Sequence, residues 1–220
     1  MSKKIVVSVL LVLFTVALAF AGGGAQKDGG LITVGIINNP PSESGYRTAN
    51  DRDMKEVFTG NGYAASFAYS IQFEEQLAAF RQFVTDGVDY ILLSAAATTG
   101  WDDALKAAQE AGIKVYLFDR MIDAPESLYE AAVVSDMAEE GKTAVNWLKG
   151  ENLPVYNVVH IQGVMGSDAQ IGRTAALDAE FANGSMKKII QQTGNWSADE
   201  ARAIVESVIN SGTDFNVVYA

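Results

Sequence analysis

From Leu31 onward, short runs rich in β-branched residues alternate with longer stretches whose apolar residues recur every three or four positions. The runs at 32–37, 64–70, 90–94, 114–119, 156–162, 187–191 and 215–219 read as strands, bounded by polar or glycine-containing turns. Between them, Phe73, Leu77, Phe80 and Val84 step by four, three and four, which puts all of them on one face of a helix. Met137, Gly141, Ala144 and Leu148 repeat that stepping, and Ile204, Val205, Val208 and Ile209 show it again. A strand followed by a single helix and then another strand returns the chain parallel to itself. The rhythm therefore predicts an α/β fold of parallel sheets with right-handed crossovers and helices on both faces.

The rhythm breaks once. After Asp119 comes a polar stretch containing Pro125, then the apolar residues 131–134, and only then the next helix. Residues 133–136 read as the crossing into a second lobe built like the first, giving lobes at 31–133 and 134–220. The last residues, 215–220, read as a strand with no covering helix after it, so the second lobe is expected to be incomplete.

The start of the chain has a different pattern. Lys3 and Lys4 precede an apolar run of about 16 residues, short of the roughly 20 a membrane-spanning helix needs. Ala19-Phe20-Ala21 then supplies a small-x-small cleavage pattern. Residues 1–21 read as an export signal and 22–30 as a flexible start of the mature chain, which would place the protein in the periplasm or otherwise outside the cytoplasm. The alternative, a membrane anchor, needs a longer run. The whole chain carries 27 acids against 16 lysines and arginines, a net charge of −11, and losing the leader makes the remainder more acidic still. An acidic surface repels nucleic acid. With no cysteine at all, thiolate catalysis, thiolate metal sites and disulfides are excluded.

In open parallel sheets, ligands sit beyond the carboxyl ends of the strands. The loops there hold planar hydrogen-bonding groups and aromatics: Glu43, Tyr46, Arg47, Trp101, Asp119, Arg120, Asp136, Arg173 and Trp196. Carboxylates and guanidinium forks pair with neighbouring hydroxyls, and an aromatic face packs on the C–H side of a sugar ring. This chemistry suits a neutral polyol.

The same residues carry a resemblance. Ser42-Glu43-Ser44-Gly45-Tyr46-Arg47, Thr99-Gly100-Trp101 and Leu117-Phe118-Asp119-Arg120-Met121-Ile122-Asp123 follow successive strands. Gln162-Gly163 with Gly166-Ser167 and Arg173 comes next, then Thr193-Gly194-Asn195-Trp196. In this order the motifs resemble the periplasmic sugar-binding proteins of the ribose type, most closely their galactofuranose-binding branch. The resemblance implies a two-lobed type I binding protein that closes on one monosaccharide and delivers it to the membrane permease of an ABC transporter, with no cofactor. It implies ligand contacts at Glu43, Tyr46, Arg47, Thr99, Trp101, Asp119, Arg120, Asp136, Ser167 and Arg173. Asp119 and Arg120 match the family pair that grips ring hydroxyls, Arg173 the second-lobe arginine, and Arg47 the first-loop arginine of the furanose branch. Tyr46 stands where that branch often has tryptophan. Gly172 and Met137 depart from the pattern, replacing an acid and an asparagine, and after Ala220 the family would continue with further ligand segments.

Each candidate has a plainer reading. Asp119-Arg120 reads also as a strand-end ion pair, Arg173 as a solvated helix residue, Trp101 as core and Glu43 as an acid answering a helix dipole. Trp196 reads as packing and His160, inside a strand, as structural. Among functions, an enzyme using Glu43, Asp119 and Asp136 as acid and base lacks a nucleophile elbow, a metal-spaced histidine cluster and a phosphate loop. A sugar-responsive transcription regulator would open with a basic DNA-binding helix pair. A sensing component that docks on a membrane receptor, or a fragment without function of its own, shares every feature of the transport reading.

Overall fold

The structure, a computed structural model, describes residues 30–220; the predicted leader, its cleavage point and residues 22–29 lie outside the described residues. Among the described residues no helix is long and apolar enough to cross a membrane.

The first sheet has five parallel strands: β1 (Thr33–Asn38), β2 (Ala64–Tyr69), β3 (Tyr90–Leu93), β4 (Lys114–Asp119) and β5 (Ala131–Val134). They lie in the order β2-β1-β3-β4-β5. Helices α1 (Gly45–Gly60), α2 (Phe73–Asp86) and α3 (Asp102–Glu110) make the first three crossings. The expected helices on both faces are present, and the strand order assigns each one its side. The chain steps from β1 to β2 in one direction, then from β2 to β3 and β3 to β4 in the other. Right-handed crossovers then put α1 on one face and α2 and α3 on the opposite one. Leu77, Phe80 and Phe83 of α2 and Leu105 of α3 pack with Ile37, Ile91, Leu93, Val115 and Leu117 into one buried cluster. On the α1 face, Phe58 and Tyr63 border an open concavity of about 360 Å³ floored by Tyr90, Leu92, Tyr116, Phe118 and Val133.

Residues 131–134, not expected as a strand, need correction. They form β5, paired in parallel with β4, so Phe118 sits opposite Val133 and Asp119 opposite Val134. No helix precedes β5; the link from β4 holds only a 3-10 turn, Glu126–Leu128. That missing helix hid the strand. Val133 and Val134, expected in the crossing at 133–136, thus belong to the first sheet.

The second sheet is β7-β6-β8, all parallel, from β6 (Asn157–Gln162), β7 (Lys187–Thr193) and β8 (Val217–Tyr219). Its steps also reverse, so α5 (Asp168–Asn183) and α6 (Ala198–Asn210) take opposite faces. Val145 and Leu148 of α4 (Met137–Gly150) join Leu177 of α5 on Val158 and Val217, while Ile204 and Val208 of α6 cover Val159 and Ile161. His160 is buried beside Gln191 and the Tyr219 ring. Burial pushes its imidazole down to about 4, so it stays neutral at physiological pH.

Gly172 has an explanation in the contact between α4 and α5. A Cβ on Gly172 would lie 2.7 Å from the Met137 carbonyl carbon and 2.8 Å from the Ala138 nitrogen. Gly141 faces the Arg173 backbone in the same way, at 2.9 Å. The two helices touch backbone to backbone, and this contact places Arg173. In an exposed helix, alanine for glycine stabilises by about 1 kcal/mol. Here backbone cannot yield as a flexible side chain would, and overpacking of about 1–3 kcal/mol outweighs that gain. Gly172→Ala is expected to lower stability by about 1 kcal/mol in a urea melt; a stabilised variant would contradict the contact.

Candidate functional site

The loops at the carboxyl ends of both sheets face one cavity of about 300 Å³, lined by Glu43, Ser44, Tyr46, Arg47, Asp119, Arg120, Met137, Ala169, Arg173 and Trp196. Six of the ten residues expected from the sequence therefore meet: Glu43, Tyr46, Arg47, Asp119, Arg120 and Arg173.

Arg47 is 2% exposed and almost fully engaged. Its Nε donates to Glu43 Oε2 at 2.9 Å, Nη1 to Asn38 Oδ1 at 2.9 Å and Ser94 Oγ at 3.3 Å, and Nη2 to Asp119 Oδ2 at 2.6 Å. Ser94 Oγ also donates to Asp119, and the Asn39 amide donates to Glu43 Oε1. Arg47 thus braces the two carboxylates, and little of its fork is left for a ligand. Ser44, whose hydroxyl accepts from the Arg47 N–H, caps α1 and sets the arginine one turn inside it.

Arg120 differs. It is 4% exposed, yet its contacts are long: Nη1 to Ala95 O at 3.5 Å, Nε to Asp119 at 3.5 Å and Nη2 to Glu43 at 3.9 Å. Burial, then the Arg47 charge, lower its affinity for the proton, but a guanidinium remains charged. Most of its five donors await a better acceptor. A tight turn at the end of β4 aims it: Asp119 has φ 66°, and the Arg120 N–H donates to Phe118 O at 2.7 Å. Non-glycine residues with positive φ carry strain, and such strain clusters at ligand clamps.

Trp196 forms the far wall. Its ring lies 5.5 Å from the Arg120 guanidinium carbon and 5.9 Å from that of Arg173. Asn195 and Trp196 are both left-handed, with φ 51° and 59°. The indole rests on Gly163, where a Cβ would fall 2.0 Å from the ring, so only glycine allows the approach. Arg173 is held by Glu140 through Nε at 2.9 Å and Nη2 at 2.8 Å. Tyr46 is 54% exposed at the rim. Partial burial, then the Asp119 charge, raise its phenol, which stays a neutral O–H.

Four expected site residues lie elsewhere. Trp101 is 1% exposed, packs edge-on to Phe73 and near Phe80, and donates its indole N–H to Ala97 O. It belongs to the core beneath α2 and α3. Thr99 is exposed in the loop before it and does not line the cavity. Asp136 caps α4, accepting from Glu139 N–H at 2.9 Å, and is exposed. Ser167 is fully buried as the cap of α5, accepting from Gln170 N–H while donating to Val164 O. Conversely, Trp196 lines the cavity although the sequence read it as packing. Its place after the end of β7 was the available signal. Asn38 and Ser94, which orient Arg47 and Asp119, also end strands but carry no charge to single them out.

A larger concavity of about 450 Å³ lies past Arg173, along β8 and α4, and includes Trp147 and Tyr219. The smaller one holds the convergent ionic groups, so it is the candidate site. There the charges balance: Glu43 and Asp119 answer Arg47 and Arg120, and Glu140 answers Arg173. Among the described residues no cluster of His, Asp or Glu could hold a metal ion.

Known proteins share this architecture. The chain is 36% identical to the galactofuranose-binding protein YtfQ of Escherichia coli over 196 residues, covering 86% of this chain and 61% of that protein. The crystal structure of a galactofuranose-binding protein superposes with a TM-score of 0.78 at 35% identity, covering 86% of this chain and 66% of the other. The binding component of an arabinose ABC transporter from Shewanella sp. ANA-3, bound to L-arabinofuranose, gives a TM-score of 0.74 at 31% identity, with 84% and 63% covered. The chain thus spans less than two thirds of the E. coli relative's length. The sequence profile described as "Periplasmic binding protein domain" matches residues 34–220. By that match the chain belongs to the periplasmic binding protein domain family.

Proposed function

We propose that this chain captures a neutral monosaccharide, in furanose form, between a first lobe at 31–133, extended by β5, and a second lobe at 134–220, outside the cytoplasm. It then delivers the sugar to the permease of an ABC transporter. The observation that carries this reading is the charge-balanced cluster of Glu43, Asp119, Arg47 and Arg120 facing the Trp196 ring. A phosphate or carboxylate ligand would call for surplus positive charge, whereas a polyol needs forks and acceptors with no net charge. Arg120 and Asp119 bond adjacent hydroxyls, Glu43 accepts from another, and Trp196 and Tyr46 flank the ring. The names of the relatives, galactofuranose- and arabinofuranose-binding, support the furanose form. Glu43 and Asp119 are both engaged by Arg47, which supports binding without turnover.

A thermal-shift panel of L-arabinose, D-galactose, D-fructose, D-ribose, amino acids and phosphate tests the ligand class. At least one sugar should raise the melting temperature by several degrees: saturation at about a hundred times Kd stabilises by about 2.7 kcal/mol. A shift with an amino acid or phosphate and with none of the sugars would rule the reading out.

A further inference from the structure

Two hydrogen bonds run directly from the loops of the first sheet to the start of α5. The Met121 N–H donates to Asp168 Oδ2 at 2.9 Å, and the Thr98 N–H donates to Gly166 O at 3.0 Å. The two first-sheet loops are also tied to each other, since the Asp123 N–H donates to Thr98 O at 2.7 Å. Met121 follows Arg120, and Asp168 precedes Ala169, so this contact adjoins the cavity wall on both sides. The start of α5 has no local need of Asp168, because Ser167 already caps it. A first-turn acid ordinarily faces water and answers the helix dipole. This one reaches across to the other half of the molecule.

We propose that Asp168 is a closure residue: its carboxylate, bonded to the Met121 N–H, latches the second-sheet half onto the first and sets how much of the population is closed. The inference rests on the reading that the two halves close on a sugar. Opening would return both groups to water, so only the net value of a charge-assisted bond biases the equilibrium, about tenfold in the closed-to-open ratio. A ligand that binds only the closed form would gain affinity in proportion to the population already closed.

The absence of cysteine makes the test clean. Single cysteines replacing the exposed Arg81 in α2 and Arg202 in α6 carry spin labels, one on each half. The distance distribution is recorded on the full chain with no sugar present. Asp168→Ala should raise the ratio of long to short separations about tenfold. Asp168→Asn keeps an acceptor oxygen without the charge, should restore part of the short population, and serves as the test if the alanine variant does not fold. An unchanged distribution in the folded variant overturns the latch. Because no sugar is needed, a failed sugar panel would remove the ligand class and leave this result standing. A positive panel with unchanged distances would remove the latch alone.

Discussion

Arg47→Ala is expected to lose about 3 kcal/mol of folding stability, the largest effect of any single change at the site. The side chain is 3% exposed and contacts both Glu43 and Asp119, whose side chains are only 10% and 12% exposed. Removing one partner of a buried ion pair leaves a charge without compensation, which costs about 3–5 kcal/mol. Here two carboxylates are stranded, although Arg120 stays within 4 Å of each and softens the loss. The estimate therefore sits at the low end of that range. A typical domain has about 5–15 kcal/mol in all, so the variant would be visibly marginal. Arg47→Lys should recover only part, because an ammonium cannot reach Glu43, Asn38, Ser94 and Asp119 at once. Urea melts decide the matter. A loss below about 1 kcal/mol, the value of an exposed pair, would mean that Arg47 is not the brace the geometry describes.

Arg120→Ala should behave in the opposite way, with sugar affinity falling about ten- to a hundredfold and stability changing much less than in Arg47→Ala. The asymmetry follows from distances. Arg47 has contacts of 2.6–2.9 Å to three side chains, so its value is already committed to the fold. Arg120 has none shorter than 3.5 Å to any of its three partners. Its donors gain most when hydroxyls arrive, and hydrogen bonds to a charged group contribute about 1.5–3 kcal/mol. Titration calorimetry with the sugar that scores highest in the thermal-shift panel measures the loss. Affinity within twofold of the unmodified protein would remove Arg120 from the ligand contacts.

These two arginines also mark where strand-end reading succeeds and where it stops. Both lie in the connection after the carboxyl end of a strand, Arg120 directly after β4 and Arg47 in the first turn of α1, and the rule that ligands gather there brought them together from distant points in the chain. The rule cannot say which arginine binds ligand and which holds the wall. That depends on Asn38 and Ser94, ordinary polar residues whose role appears only when β1 and β3 lie side by side. Trp101 and Trp196 were separated in the wrong sense for a related reason. Each follows a strand, but Trp101 turns under α2 into the core, while Trp196 is held outward by two left-handed residues and a glycine beneath its ring. Side-chain direction after a turn is a property of the backbone path, which apolar periodicity does not encode.

What the sequence determined by itself is the part governed by local period. Alternating strand runs and helical stripes specified α/β elements, parallel pairing and seven of the eight strands, because burying one face of an element imposes its period wherever that element packs. The tertiary structure alone decided three things. Strand order decided which face each helix covers, since reversing the direction of a right-handed step moves the helix to the other side. Sheet pairing decided that residues 131–134 are a strand, because their backbone groups find partners only along the edge of β4. The backbone-close contact of α4 with α5 and the crossing bonds at Met121 and Thr98 decided how Arg173 and Trp196 face Arg120. All three depend on residues far apart in the chain meeting at fixed distances, and no local pattern carries that information.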